Sequence, residues 1–135
     1  MMPVMDGLTA TRAIRASSAA DARSIPVIAM TANAFSEDIK ASLDAGMDAH
    51  VVKPIDMQII DILKSYKKVF FFEECMKCGS IAEHLGVLLL ENNFKGKYII
   101  KAIENKYVHH NTVKDTLRQL SLDSSGIVNV VSKEC

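Results

Sequence analysis

The stretch His50-Val-Val-Lys-Pro-Ile-Asp56 decides how the chain is interpreted, because predicted structure and composition both change there. Ala49–Val52 is a short run with β-branched residues and predicts a buried strand. Lys53-Pro54 predicts the end of that strand, since proline cannot donate a hydrogen bond to a neighbouring strand. Asp56 is a typical N-cap residue and predicts that a helix follows.

Amino-acid composition differs between the two sides of this stretch. Residues 1–54 contain twelve of the fourteen alanines and three of the four arginines, but only two of the twelve lysines. Residues 55–135 contain ten lysines and five of the six asparagines. The net charge is nearly the same on both sides, so codon usage explains the contrast better than electrostatics does. We interpret residues 1–135 as a single hybrid domain built from segments 1–54 and 55–135 of different origin.

Length, charge and cysteine content exclude several classes of protein. A chain of 135 residues that is 49% apolar can bury one core of a soluble domain. Sixteen basic and sixteen acidic residues cancel, which argues against binding to nucleic acid or to a membrane. Three cysteines, an odd number, favour a reducing compartment, and we expect a cytoplasmic protein. We expect no cofactor and no required partner, and a monomer or weak homodimer.

The apolar periodicity predicts helices that alternate with short strands. Strands are expected over Ile25–Met30, Asp48–Val52, Val69–Phe72 and Tyr98–Ile103. Helices are expected to begin at or after Asp6, Ser36, Asp56, Gly79 or Ser80, Asn111, and Asp123 or Ser124, with most of these residues acting as caps. Strict alternation of this kind is typical of a three-layer α/β sandwich, here with a four-stranded parallel sheet.

Four motifs of the first segment carry a family resemblance. They are Met2-Pro-Val-Met-Asp-Gly7, Pro26-Val-Ile-Ala-Met-Thr-Ala-Asn-Ala34, Ala45-Gly-Met-Asp-Ala49 and Val51-Val-Lys-Pro54. With these motifs, residues 1–55 resemble the second half of a bacterial response-regulator receiver domain, which has a flavodoxin-like fold.

Receiver domains take a phosphoryl group on an aspartate with the help of Mg²⁺. The resemblance implies that Thr31 and Lys53 occupy the positions that contact the phosphoryl oxygens, as a hydroxyl donor and a cation can. The family's acceptor aspartate and its acidic pair would lie before Met1, so we expect no metal site and no phosphorylation. Thr31 and Lys53 are then inactive relics, and Asp6 is a helix cap.

A second resemblance covers about Val52 to Val131. Phe72-Glu-Glu74, Cys78-Gly-Ser80, Ile81-Ala-Glu-His-Leu-Gly86 and Ala102-Ile-Glu-Asn105 resemble the C-terminal domain of 1-deoxyxylulose-5-phosphate synthase, which has the transketolase C-terminal fold. In that family the thiamine diphosphate and Mg²⁺ sites lie mainly on the preceding domains, so this segment implies no cofactor. Glu73 and Glu74 could be a general acid/base pair, but a structural role at a strand end is the stronger interpretation. His109 and His110 are interpreted as loop residues.

The two resemblances imply how one sheet could be shared. Both families place a lysine-proline turn between a strand and a helix, so a junction at Val51–Asp56 keeps both local geometries. The expected strand order is 2-1-3-4, flavodoxin-like, with Thr31 and Glu73–Gly79 facing a crevice at the carboxyl ends of the strands.

Cys75-Met-Lys-Cys78 stands between a predicted strand and a predicted helix, where a thiol oxidoreductase would carry its cysteine pair. The stronger interpretation is two thiols in a turn. No zinc site is expected, because four ligands are not at hand.

Our leading hypothesis is an engineered chimera of two fold fragments without enzymatic activity. One alternative is a receiver-like signalling or binding module that lacks its phosphoacceptor and keeps a docking surface on the helix Ser36–Ala45. The other is a thiol oxidoreductase that acts through Cys75 and Cys78.

Overall fold

The computed structural model of the protein describes residues 7–18, 22–31, 35–52 and 57–134. Both pairs of strands that form within these ranges are parallel, and helices alternate with strands. The α/β class predicted from the sequence is therefore confirmed. The elements in chain order are α1 (Gly7–Ala16), β1 (Ile28–Thr31), α2 (Ser36–Asp44), β2 (Ala49–Val52), α3 (Met57–Leu63), β3 (Lys68–Met76), α4 (Ile81–Glu91), β4 (Lys97–Ile103), α5 (Val113–Gln119) and α6 (Ser124–Glu134).

The strands form two separate pairs. β1 pairs with β2, and Thr31 lies opposite Val52. β3 pairs with β4, beginning with Lys68 opposite Lys97. No pairing joins the two pairs in the described part of the chain, so the predicted four-stranded sheet of order 2-1-3-4 is wrong. A central strand in a covered parallel sheet is buried on both faces, whereas all four residues of β1 are only half-buried.

Two compact units divide the chain. Unit 1 consists of Met1–Pro54 and Asn111–Cys135, and unit 2 consists of Ile55–His110. Unit 1 is discontinuous in sequence, because its last helices come after the whole of unit 2. The division of the sequence into segments 1–54 and 55–135 stays a prediction about origin, and it differs from this division by contacts.

Arg15 joins three parts of unit 1 by hydrogen bonds. Its Nε and Nη2 donate to the carbonyl oxygen of Gly46, at 3.0 and 2.8 Å. Its Nη1 donates to the carbonyl oxygens of Ile25 and Ala22, at 2.6 and 3.1 Å. Nη2 also lies 2.8 Å from Asp48 Oδ2. A planar guanidinium suits this arrangement because its donors point in fixed directions.

The entry to β2 is fixed by the same region. The backbone N–H of Asp48 donates to Val27 O at 2.8 Å, and the N–H of Val27 donates to Asp48 Oδ2 at 2.7 Å. Gly46 has a φ of +94°, a conformation that favours glycine. A Cβ at Gly46 would lie 3.3 Å from Cγ of Arg15, so the turn and the arginine are fitted to each other.

Two predicted helix caps are wrong by one residue. Phe35 is the N-cap of α2 and provides no side-chain hydrogen bond, so Ser36 is the first helical residue. Thr112 caps α5, and its hydroxyl accepts from the N–H of Asp115 at 3.1 Å. Asn111 instead accepts from the N–H of Thr112. A polar residue next to the true cap gives almost the same sequence signal as the cap itself.

His50 in β2 is bound to α2 through Ser42. The Ser42 hydroxyl donates to Asp38 O at 2.8 Å, and its oxygen lies 3.3 Å from His50 Nδ1. Because the hydroxyl proton is already used, the serine oxygen accepts from His50, which places the ring proton on Nδ1. Nε2 is buried and has no hydrogen-bond partner among the residues that the structure describes.

Helix α1 packs against α2 and α6 in unit 1. The buried side chains of α1 and α6 include Ala10, Thr11, Ile14, Ile127 and Val131. Ile127 and Val131 are four residues apart, so they lie on one face of α6. The core of unit 1 therefore combines the beginning and the end of the sequence.

Helix α4 packs against both strands of unit 2. Ile60, Leu85 and Leu89 are almost completely buried, and each such side chain stabilises the fold by about 1.5–3 kcal/mol. None of the helices in the described ranges combines the length and the apolar character needed to cross a membrane.

Replacing Arg15 with alanine should lower the free energy of unfolding of unit 1 by about 2–4 kcal/mol, because three part-buried carbonyl oxygens lose a charged donor. Arg15→Lys should restore only part of the loss, since an ammonium group cannot match the planar fork. The control is Arg12→Ala, because Arg12 is exposed on the same helix. Urea unfolding observed at the amides of β1 and β2 measures the change, and equal losses for Arg15→Ala and Arg12→Ala would contradict this account.

Candidate functional site

The receiver-type positions lie at the carboxyl end of the β1–β2 pair. Thr31 is the last residue of β1, and Val52 opposite it is the last residue of β2. Because the strands are parallel, both carboxyl ends are at the same edge of the pair. Lys53 follows Val52 directly in the sequence but lies outside the described residues, as do Asp6 and Asp56. Thr31 therefore lies next to Val52, the last residue of β2.

A bulge interrupts the pairing of β3 with β4. Pairing is regular up to Phe72 opposite Lys101, and it resumes with Met76 opposite Ile103. Three residues, Glu73-Glu74-Cys75, therefore lie opposite the single residue Ala102. Bulges change the direction of side chains and are common beside functional sites. The acidic pair and the first cysteine of the sequence analysis all lie in this bulge.

Glu73 binds the first turn of α4. Its Oε2 accepts the backbone N–H of Ala82 at 3.0 Å. The hydroxyl of the N-cap Ser80 accepts the N–H of Glu83 at 3.1 Å, and the Glu83 carboxylate accepts the N–H of Gly79 at 2.8 Å. This is a variant of the capping box, with a second carboxylate added from the neighbouring strand. Negative charge at this position also interacts favourably with the positive N-terminal end of the helix dipole.

Tyr98 of β4 binds the same turn of α4. Its hydroxyl donates to the carbonyl oxygen of Ala82 at 2.7 Å. A Cβ at Gly86 would lie only 3.0 Å from Cε1 of this ring, so the close approach depends on glycine. Burial first, and then the charge of Glu73, raise the pKa of the Tyr98 phenol. Neither Tyr98 nor Gly86 was predicted from the sequence to have such a role, although a glycine inside a helix is a signal of close packing.

Glu74 lies beside Glu73 in the bulge and is half-buried. Partial burial raises the pKa of its carboxyl, because the charged form loses hydration. The two carboxyls therefore have different surroundings. Glu73 accepts a hydrogen bond from the first turn of α4, whereas the main influence on Glu74 is partial burial. An acid/base role for the pair, the weaker of the two interpretations of the sequence, stays untested.

The cysteine pair lies on either side of the end of β3. Cys75 is half-buried, and its Sγ lies 3.4 Å from the carbonyl oxygen of Met76. Cys78 is exposed in the turn before α4, and neither cysteine is in a disulfide. Free N–H groups at a helix N-terminus can stabilise a thiolate, but the three N–H groups named above are already bonded to Glu73, Ser80 and Glu83. The redox pair stays a prediction.

The histidines of the loop after β4 are exposed. The rings of His109 and Tyr107 form a T-shaped pair, with centroids 5.3 Å apart. No group of three or more possible metal ligands of the His, Cys, Asp or Glu type is found among the described residues.

The first segment has the α/β class, with a parallel β1–β2 pair and Thr31 at its carboxyl end. Residues 1–64 match the family model of the response regulator receiver domain. Histidine kinase 1 of Arabidopsis thaliana is 46% identical over 59 residues, which is 44% of this chain and 5% of the kinase. Probable histidine kinase 2 of Oryza sativa subsp. indica is 42% identical over 59 residues, 44% of this chain and 6% of that protein.

The second group of relatives consists of synthases. 1-Deoxy-D-xylulose-5-phosphate synthase of Thermotoga maritima is 31% identical over 106 residues, which is 77% of this chain and 17% of the synthase. Both resemblances found in the sequence are therefore confirmed, and together they are consistent with a chain that combines a receiver segment with a synthase-like segment. The chain spans less than a fifth of each of these relatives.

The receiver match and the synthase match overlap. A match of 106 residues does not fit within residues 52–135, so the synthase similarity begins before Val52. It therefore includes residues that also match the receiver model, which extends over residues 1–64. Residues around the β2–α3 junction are thus compatible with both families.

The stability of unit 2 should fall as the pH rises above 10.0, the ordinary pKa of tyrosine, because folded Tyr98 keeps its proton where the unfolded chain loses it. Tyr98→Phe should remove this component, at a cost below pH 10 of about 1 kcal/mol for the lost hydrogen bond. The control is Tyr107→Phe, because Tyr107 is 81% exposed. Urea unfolding observed by circular dichroism across this pH range tests the prediction, which fails if Tyr98→Phe keeps the wild-type pH dependence.

Proposed function

We propose that the chain is a receiver-like signalling module without catalytic activity, made from fragments of a receiver domain and of a transketolase C-terminal-like domain. The observation that carries the proposal is the parallel β1–β2 pair, which keeps Thr31 beside the end of β2 within the residues that match the receiver model. The relatives matched over 59 residues are named histidine kinases, and the matched segment is a small share of each. Their names support a role in signalling.

An engineered fusion of two fragments is the origin that we propose. It accounts for the change from alanine and arginine to lysine and asparagine along the chain. It also accounts for matches to two families of proteins, each over a small share of the relative's length. The overlap of the matches supports a junction in a region that both parents can provide.

The proposed lack of catalytic activity is supported by the structural hydrogen bonds of two side chains that could otherwise act as an acid or a base. The Glu73 carboxylate is bonded to the N–H of Ala82, and the Tyr98 hydroxyl to its carbonyl oxygen. A general base must be within reach of the proton that it abstracts, and a carboxylate held by a helix terminus serves that helix instead. Binding is therefore the better proposal.

Helix α2 offers the surface for such binding. Phe35 and Leu43 are large apolar residues that are 66% and 52% exposed. They are accompanied by exposed acidic residues, namely Glu37, Asp38 and Asp44. An apolar surface with acidic neighbours suits a partner that presents apolar and basic side chains.

Incubation with acetyl phosphate and Mg²⁺ should add no phosphoryl group to the chain, as measured by intact mass. The control is a complete bacterial receiver domain, which should gain the group under the same conditions. A phosphorylated product would contradict the non-catalytic proposal, and so would insulin reduction that is lost in the Cys75→Ser and Cys78→Ser variants.

A purified histidine kinase immobilised on a biosensor should bind the full chain through α2. Leu43→Asp should weaken this binding at least about tenfold, since a charge replaces an exposed apolar contact of more than 1.4 kcal/mol. The control is Val87→Asp, because Val87 is an apolar residue of unit 2 with similar exposure, 48% against 52% for Leu43. Equal weakening by both changes, or no binding by the wild-type chain, would contradict docking at α2.

A further inference from the structure

Unit 1 is formed by two separate stretches of the sequence, and its C-terminal stretch packs on the first one as a separate peptide would. Helix α6 belongs to unit 1, although unit 2 separates it in sequence from α1. The contact between α1 and α6 is the most extensive packing between helices in the described residues. The face of α1 that includes Ile14 is thus buried with help from residues that lie more than a hundred positions further along the chain.

The side-chain hydrogen bonds of Arg15, near the end of α1, do not depend on α6. Arg15 donates to residues of the 22–25 turn and of the α2–β2 turn, all within the first segment. What α6 adds is apolar burial, with Ile127 and Val131 each 8% exposed. Burial of apolar side chains on one face of a helix is also how a separate amphipathic helix binds in a groove.

The connection that leads to this segment has few packing contacts of its own. Residues 104–111 lie between β4 and the cap of α5, and all of them except the half-buried Val108 are exposed. Fully extended, these eight residues can span roughly 26–29 Å. The described contacts of this connection include the 3.7 Å ion pair of Glu104 with Lys77 and the ring contact of Tyr107 with His109, both of which lie within unit 2.

We propose that the α1 face of unit 1 is a helix-binding surface that accepts α6 from a second copy of this chain as well as from its own. Two chains then exchange residues 111–135, and each unit 1 is completed by the other chain. The exchange uses the same contacts that are present within one chain, so its cost is the entropy of association and it depends on concentration. Unit 2 keeps its own strand pair in both forms.

Two full-length variants test the exchange. Ile14→Glu damages the accepting face and leaves α6 intact, whereas Ile127→Glu damages α6 and leaves the face intact. The ¹⁵N-labelled Ile127→Glu chain is unfolded and refolded with an excess of unlabelled Ile14→Glu chain. We expect a heterodimer of twice the 14.8 kDa chain mass, in which the amides of β1 and β2 of the labelled chain regain protection from exchange.

The controls separate exchange from a general effect of refolding. Unlabelled Ile127→Glu should give no rescue, because it brings no intact α6. Arg12→Glu and Asn129→Glu, at exposed positions of the same two helices, should leave β1 and β2 protected in each chain alone. The proposal is overturned if the mixture shows no rescue, or if Ile127→Glu alone is as protected as the wild type.

The wild-type chain provides a second measurement that needs no variant. After refolding at increasing concentration, light scattering should detect a growing fraction of dimer. Chains labelled separately with donor and acceptor dyes should show energy transfer only when they are refolded together. A chain that stays at 14.8 kDa at every concentration would overturn the exchange, even if the variants precipitate.

Discussion

Both main-chain polar groups of Ala82 are bound by side chains from the two strands on which α4 packs. Glu73 of β3 accepts the N–H at 3.0 Å, and Tyr98 of β4 donates to the carbonyl oxygen at 2.7 Å. This pair of bonds fixes the beginning of the helix relative to the strand pair, and the burial of Leu85 and Leu89 follows from that placement. The arrangement also favours Gly86, since a Cβ there would lie only 3.0 Å from Cε1 of the Tyr98 ring, and the ring would have to shift. The rest of unit 2 is arranged around these contacts.

The same contacts change the interpretation of the acidic pair. In the sequence, Glu73-Glu74 at a strand end is compatible with acid/base chemistry. In the structure, the bulge opposite Ala102 gives the strand two additional residues and directs one carboxylate to a helix N-terminus. A carboxylate at that place stabilises the helix by charge and by hydrogen bonding at once. The presence of Glu73 in a long strand is thus explained by its bond to α4.

Features that depend on local chemistry could be predicted from the sequence, and features that depend on distant partners could not. Ser80 before an apolar helix predicts its cap, because the cap hydroxyl needs only the N–H of Glu83 three residues later. The length of β3 was underestimated, because Glu73 and Glu74 lower strand propensity and their partners lie on other elements. The sheet order failed for the same reason, since strand alternation predicts parallel pairing but does not identify which strands are neighbours. Arg15 gave no signal at all, although it binds three carbonyl groups of unit 1.

The boundary between the two resemblances and the boundary between the two compact units are different boundaries. Composition changes near residue 54, yet residues 111–135 pack with the first segment. Such packing depends little on the exact sequence. An apolar helix face such as the one with Ile127 and Val131 can pack on any apolar face of complementary shape. Parallel strand and helix geometry makes similarly weak demands, which is why one stretch before and after Val52 matches two families. The directional contacts of Arg15 and Tyr98 stay within single units, whereas α1 and α6, from the beginning and the end of the sequence, bury apolar side chains such as Ile14, Ile127 and Val131. A chain composed of two fragments can therefore fold when each fragment keeps its own hydrogen-bonded geometry and the contact between fragments needs only shape and hydrophobicity.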